Sequence, residues 1–348
     1  MIGAGQHIVI AGAGSVGCYV GGCLALAGRK VTLLARPRIE RALRDGGLRV
    51  SDLDGRDRLA DADAIAASTD PAVLTGADIV LVTVKSVATE DRARLIAKHA
   101  RADATVVSLQ NGIDNAARLK ALVAGRPVLA GMVPFNVVQP ADGEQPLHVH
   151  RASEGTVLVQ VGMPGLAELL SVEGCAVAAH PDIQGVLWGK LLFNLNNALV
   201  ALSDLPLAQE LAERRWRLVL ARQIREALAA MKAGGIRPVA AAGSAPPALL
   251  PFSACPIGCS AGWRGGCWRS IRRLAPPCGT IFSTAVRPRS KPCKEPSSTW
   301  PNEPAPPHRP SNVPSRSSAR PNGPERDRRN SGPMRSPDGQ AGALVRDP

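Results

Sequence analysis

Apolar residues in the first half of the chain come as short unbroken runs rather than as alternations. His7-Ile8-Val9-Ile10-Ala11 is the first, and Val31-Thr32-Leu33-Leu34-Ala35, Ile79-Val80-Leu81-Val82-Thr83-Val84 and Thr105-Val106-Val107-Ser108-Leu109 repeat it. Such β-branched and aliphatic runs, with no polar side, fit strands buried on both faces. Between them the apolar positions fall at helical spacing, as over residues 18–27, which Gly28 closes. Strand and helix alternation predicts an α/β fold with a parallel, doubly wound sheet. The strand-like runs 128–133, 147–150 and 156–161, set apart by Asn, Pro, Asp and Gly, are expected to complete that sheet. From Asp182 the period becomes helical through Val186, Leu187, Leu191, Leu192, Phe193 and Leu195, and a second helical block follows over 209–233.

Composition changes this picture mainly at the end of the chain. Residues 251–348 hold 18 of the 30 prolines, 5 of the 8 cysteines, and 16 Lys+Arg against 6 Asp+Glu. Residues 1–250 carry 26 Lys+Arg against 23 Asp+Glu, so the formal net charge of +13 belongs largely to the tail and does not argue for a nucleic-acid partner. Residues 8–28 lack charge and are long enough for a membrane span, but they contain six glycines and the first seven residues carry no Lys or Arg. They are expected to form a buried strand and helix in a cytoplasmic protein without a membrane partner. Cys18, Cys23 and Cys175 are too scattered for a disulfide framework, which fits a reducing compartment. The tail has no period of 2 or 3.6, and Cys255, Cys259 and Cys267 lack the paired spacing of a zinc module, so no metal is expected.

The tail is predicted to be irregular, as disorder or as the product of a one-base frame shift near residue 250. Taking the last base of each permitted codon with the first two of the next turns residues 256–260 into Asp-Trp-Leu-Phe. In the same frame residues 277–281 give Met-Trp-Asp-Asp, 288–296 give Glu-Ile-Glu-Ala-Leu-Gln-Gly-Ala, and continuing to 303 gives Ile-Val-Asp-Leu-Ala-Glu. The genetic code permits these readings without forcing them, and they restore an amphipathic spacing. A chain with such a tail loses helices and exposes the face they would cover.

Chemistry concentrates at a few positions. Gly12-Ala13-Gly14-Ser15-Val16-Gly17 follows a strand and opens a helix, the context of a dinucleotide fingerprint. Gly12 allows the tight turn, Gly14 lets backbone approach a pyrophosphate, and Gly17 allows close packing of helix on strand; the bland alternative is a tight turn alone. The acid expected at the end of the second strand for NAD is replaced by Ala35-Arg36-Pro37-Arg38, and Arg36, with Arg38, suits the 2′-phosphate of NADPH. The alternative is a solvated loop arginine. Lys85 and Asn111 each follow a strand at its carboxyl end, where open α/β sheets bind ligands, and an amide at Asn111 can contact both the nicotinamide portion of a cofactor and a substrate; either residue also suits a plain turn, Asn before Gly112 especially. Lys190, Asn194 and Asn197 stand at i, i+4 and i+7, a polar stripe on an apolar helix. A lysine with its stem lying on the core is the competing reading; three aligned polar groups favour a substrate cleft.

In this order and spacing the glycine fingerprint, Leu81 to Lys85, Asn111-Gly112 and the Asp182 to Asn194 segment resemble the ketopantoate (2-dehydropantoate 2-) reductase family, over residues 7 to about 250. The resemblance implies a Rossmann-type NADP-binding domain over 1–181, a partial helical substrate domain over 182–250 and the aberrant tail over 251–348. It implies reduction of 2-dehydropantoate to (R)-pantoate with NADPH, in pantothenate and coenzyme A biosynthesis, on a small-molecule 2-oxo acid substrate, with a homodimer among the expected assemblies. Lys190 would be the general acid, Asn111 and Asn194 would hold substrate, Lys85 would lie near the cofactor, and Asn197 would fill a further substrate position across a one-residue gap. The family's Glu-Ile-Asp-like motif and upstream serine are missing from the translated frame, whereas the out-of-frame Glu-Ile-Glu resembles that motif. Two rivals remain at this point: a related NADP-dependent 2-oxo acid reductase, and a truncated, inactive nucleotide-binding protein.

Overall fold

The computed structural model describes residues 5–140 and 146–239. The expectation for 251–348, and the end of the 182–250 segment, lie outside the described residues. The chain runs β1 (His7–Ala11), α1 (Ser15–Leu26), β2 (Lys30–Leu34), α2 (Pro37–Gly46), β3 (Leu48–Asp52), β4 (Asp57–Ala60), β5 (Ala66–Ser68), β6 (Ile79–Val82), α3 (Thr89–His99), β7 (Thr105–Ser108), α4 (Asn115–Leu122) and β8 (Val128–Met132). It continues through β9 (Val137–Val138), β10 (Leu147–Arg151), β11 (Val157–Gln160), α5 (Leu166–Leu170), β12 (Val177–His180), α6 (Ile183–Asn194), α7 (Asn196–Ser203), α8 (Leu207–Ala212) and α9 (Arg214–Ala233).

The long apolar runs become the middle of an eight-stranded sheet in the order β12-β11-β8-β7-β6-β1-β2-β5. Its members pair in parallel except β8 with β11. Ile8, Val9, Ile10, Ile79, Val80, Leu81 and Val82 are each 0% exposed, as strands covered on both faces require. The chain leaves β1 toward β2 and returns to β6 on the other side, so the order reverses between β1 and β6. A crevice opens outside the carboxyl ends at such a reversal.

One expectation fails. The run 147–150 does not extend this sheet: β10 pairs in parallel with β3 and antiparallel with β9, and with β4 these make a second sheet in the order β4-β3-β10-β9. The reason is visible in the residues, since His148 and His150 alternate with the buried Val149, the period-two pattern of a half-covered strand. The second sheet also explains the uncharged stretch near the start. Helix α1 lies between the two sheets: a Cβ on Gly21 would stand 2.7 Å from Leu33 Cδ2 of the large sheet, and one on Gly22 would stand 2.6 Å from Val50 Cγ2 of the small one. A helix packed on both sides has no wet face on which to carry charge.

Where the small sheet meets the core, Arg151 is 8% exposed and reaches Asp52 at 3.3 Å and also Asp54, with its guanidinium 5.9 Å from the Phe135 ring centre. Asp52 keeps a second partner in Arg56 at 2.6 Å. Arg151→Ala removes one partner of a buried carboxylate and the packing over Phe135, and should cost about 2–4 kcal/mol in urea unfolding. The exposed Arg222→Ala at the Arg222–Glu226 pair should leave the midpoint where it is. Equal midpoints for both variants would contradict this account of the core.

Candidate active site

The glycine turn is shaped by what presses on it. Gly12 has φ +136, and a Cβ there would meet Val84 Cγ1 at 2.7 Å and Val84 N at 2.9 Å. A Cβ on Gly17 would collide with the Gly12 carbonyl oxygen and stand 2.6 Å from Thr83 Oγ1. Thr83 Oγ1 donates to that same carbonyl at 2.6 Å, which ties the turn to the end of β6. A Cβ on Gly14 would meet nothing within 4 Å. Two glycines are therefore required by the protein's own packing, while the third faces open space in front of α1. No side chain caps the first turn of α1, so its amides point at that space unshielded, an arrangement suited to a pyrophosphate. Arg36 and Arg38 are exposed at the carboxyl end of β2, Arg36 as N-cap of α2, and Lys85 is exposed beyond the end of β6. The residues present thus fit a dinucleotide.

Two strands along the same carboxyl edge, roughly 10 Å away at ~4.8 Å per strand, the loop after β7 carries Gln110-Asn111-Gly112. Helix α6 packs over β8 next to it, and over β11, through Ile183, Val186 and Leu187 against Ala130, Met132 and Leu158. Asp182 caps α6 by accepting from Gly185 N at 2.8 Å. On another side of the helix Gly185 and Gly189 admit Val239, whose N–H donates to the Gly185 carbonyl at 2.8 Å. Between α6 and the β7 loop lies a cleft of about 240 Å³, counting the solvent at its mouth, lined by Asn111, Lys190 and Asn194 together with Gln110, Met132 and Leu187 among others.

Among the described residues Lys190 Nζ donates to the Pro134 carbonyl at 3.0 Å. Burial pushes its ammonium below the ordinary lysine value of 10.5. The amide groups of Asn111 and Asn194 make no side-chain hydrogen bond among the described residues, so the cleft holds an ammonium and two amides with capacity to spare. Asn197 is exposed on α7 and does not line the cleft. Its neighbour Asn196 instead donates Nδ2 to the buried Glu210 at 3.0 Å, and burial holds the Glu210 carboxyl above its ordinary range. No carboxylate is among the described residues that line the cleft.

Sequence reasoning brought out Lys190, Asn194 and Asn111 but missed the polar residues beneath them. Gln110 and Asn115, 5% and 2% exposed, join Ser86, Thr89 and Ser108 in one hydrogen-bonded set under the β7 loop. The available signal was positional: Thr89 lies four residues past Lys85, and Asn115 four past Asn111.

Comparison with known proteins fits this geometry. A family model for ketopantoate reductase PanE/ApbA matches residues 8–162. The 2-dehydropantoate 2-reductase of Halobacterium salinarum is 31% identical over 241 residues, which cover 66% of this chain and 77% of the relative. That of Pyrococcus horikoshii is 37% identical over 196 residues, and there the chain spans 61% of the relative's length. The crystal structure of a PanE/ApbA family ketopantoate reductase from Ralstonia eutropha JMP134 superposes with a TM-score of 0.60 at 33% identity, covering 67% of this chain and 76% of that one.

The glycine geometry separates packing from recognition. Gly17→Ala should lower the unfolding midpoint by the equivalent of about 1–3 kcal/mol, because the backbone of the turn must move. Gly14→Ala should leave the midpoint nearly unchanged, since its methyl enters open space. Parallel thermal melts test this, and equal losses would show that Gly14 also serves packing.

Proposed function

The chain belongs to the ketopantoate reductase family, and from that premise we propose that it reduces 2-dehydropantoate to (R)-pantoate with NADPH, a cytoplasmic step toward pantothenate and coenzyme A. The observation that carries the reading is the convergence of Lys190, Asn111 and Asn194 on one cleft, on the same sheet edge as the glycine turn. Among the described residues no helix is long and apolar enough to cross a membrane.

Gly12, Ala13, Gly14, Ser15, Val16 and Gly17 would hold the pyrophosphate, Arg36 the 2′-phosphate, and Lys85 the cofactor's flank. When bound, NADPH supplies hydride to the keto carbon. Negative charge then develops on the keto oxygen, and Lys190 Nζ donates a hydrogen bond and finally its proton there. Desolvation favours that transfer, because it lowers the ammonium pKa toward the working pH. The Pro134 carbonyl accepts from Nζ before and after the transfer, which keeps the nitrogen aimed while its other hydrogens face the cleft. Asn111 and Asn194 offer amide donors to the substrate's carboxylate and hydroxyl.

The test is NADPH oxidation by the full chain with a series of 2-oxo acids. The reading expects 2-dehydropantoate to be fastest and NADPH to be preferred over NADH. A faster rate with another 2-oxo acid would point to the related reductase. Protection from thermal unfolding by NADPH without turnover on any 2-oxo acid would leave a nucleotide-binding protein only. Lys190→Ala should lower kcat by about 10²–10⁴ with little change in NADPH affinity. The sign with pH follows from the protonated form being the acid: kcat/KM should fall as pH rises through the Lys190 pKa, with the midpoint below 10.5. An alkaline limb at or above 10.5 would remove the desolvated lysine from the step.

A further inference from the structure

The buried set under the β7 loop has a direction fixed by counting hydrogens. Each hydroxyl has one proton to give, and each amide nitrogen two. Ser108 Oγ donates to Gln110 Oε1 at 3.1 Å, and Gln110 Nε2 donates to the Val84 carbonyl at 3.0 Å and to Thr89 Oγ1 at 2.8 Å. Thr89 Oγ1 passes its own proton to Asn115 Oδ1 at 3.0 Å. Asn115 Nδ2 then donates to Ser86 Oγ at 2.9 Å and to the Asn111 carbonyl at 2.7 Å, and Ser86 Oγ donates to the same carbonyl at 2.9 Å. Every amide hydrogen and every hydroxyl hydrogen in the chain is used, and it ends with both lone pairs of one carbonyl occupied. The orientation of the Asn115 amide is thereby set, since the flipped form would place its oxygen against the Asn111 carbonyl, two acceptors with no hydrogen between them, and leave the Thr89 hydroxyl hydrogen without an acceptor.

That terminal carbonyl belongs to Asn111, whose own side-chain amide is left for the cleft. Gly112 makes the arrangement feasible: it has φ +112, and a Cβ there would stand 2.9 Å from Asn115 Nδ2, in the path of the amide. Ser86, adjacent to Lys85, ties the cofactor flank to the same point.

We propose that Asn115 is a positioning residue for the reduction, its Nδ2 clamping the Asn111 backbone to the Ser86 loop so that the Asn111 amide is held in the cleft opposite Lys190. This rests on the functional reading above only for its effect on turnover; the clamp itself is a property of the loop. A buried amide that merely filled space would tolerate a replacement of equal size. Asn115→Asp keeps the size and the acceptor for Thr89 but sets a second acceptor against the Asn111 carbonyl.

The experiment compares the full chain with Asn115→Asp for hydrogen exchange in residues 110–113, for KM and kcat with 2-dehydropantoate, and for NADPH affinity. Exchange in that segment should quicken about tenfold or more, and KM should rise about tenfold, while NADPH affinity changes less than threefold. Lowering the pH should recover part of both losses, because a protonated carboxyl can donate to the Asn111 carbonyl again. Wild-type exchange and KM in the variant would overturn the proposal, as would a uniform quickening across the whole chain, the mark of a purely structural role. Should Asn115→Asp fail to fold, Ser86→Ala carries the test at a half-buried position: faster exchange confined to 110–113 supports the clamp, and unchanged exchange overturns it. If the unmodified chain turns over no 2-oxo acid, the functional reading falls while the exchange measurement still decides the clamp.

Discussion

A lysine ammonium held between an apolar helix and the edge of a sheet costs free energy that no neighbouring carboxylate among the described residues offsets, and the rest of the site is arranged around that cost. Lys190 has the Pro134 carbonyl and the cleft, and burial alone drives its pKa down. A group in that state gives up a proton more readily than one in water, and it gains most when negative charge forms beside it. Structural lysines avoid this condition by letting the ammonium snorkel to solvent. Here α6 is pinned by the Asp182 cap and by Val239 seated against its glycines, so the side chain is presented to the cleft.

The sheet supplies the other half. Because strand order reverses between β1 and β6, the end of β6 touches the glycine turn through Thr83 and Val84 and the β7 loop through Gln110. A short run of residues therefore connects the phosphate side to the amide of Asn111. The small sheet has a different task, giving α1 a second apolar face and allowing the helix that carries the fingerprint to be free of charge along its length. Rigidity at the turn and openness in front of Gly14 come from the same packing.

The fold was legible wherever one residue type answers one steric demand. The glycines at 12 and 17, the doubly buried runs of β1, β2, β6 and β7, and the lone lysine of α6 all stand out because alternatives cost several kcal/mol. The small sheet was not legible as such, since the short β3, β4 and β9 carry weak local signals and the alternating histidines of β10 do not by themselves name the sheet that the strand joins. Asn115 was hidden for another reason: an Asn at a helix start beside Asp114 looks like ordinary capping, and only tertiary contact with Ser86 and Thr89 distinguishes it. Asn197 shared the stripe of Lys190 by helical arithmetic, but a turn at Leu195 separates α6 from α7 and Asn197 is exposed there.

On the proposed reading, the sheet edge that carries the glycine turn and the cleft that holds Lys190 form one site for nucleotide and substrate. A crystal structure of the full chain with NADP⁺ and 2-dehydropantoate tests it most directly. The account predicts the pyrophosphate at the glycine turn and the keto oxygen within hydrogen-bonding distance of Lys190 Nζ. A substrate bound away from Lys190, or a nucleotide seated away from Gly14, would contradict it.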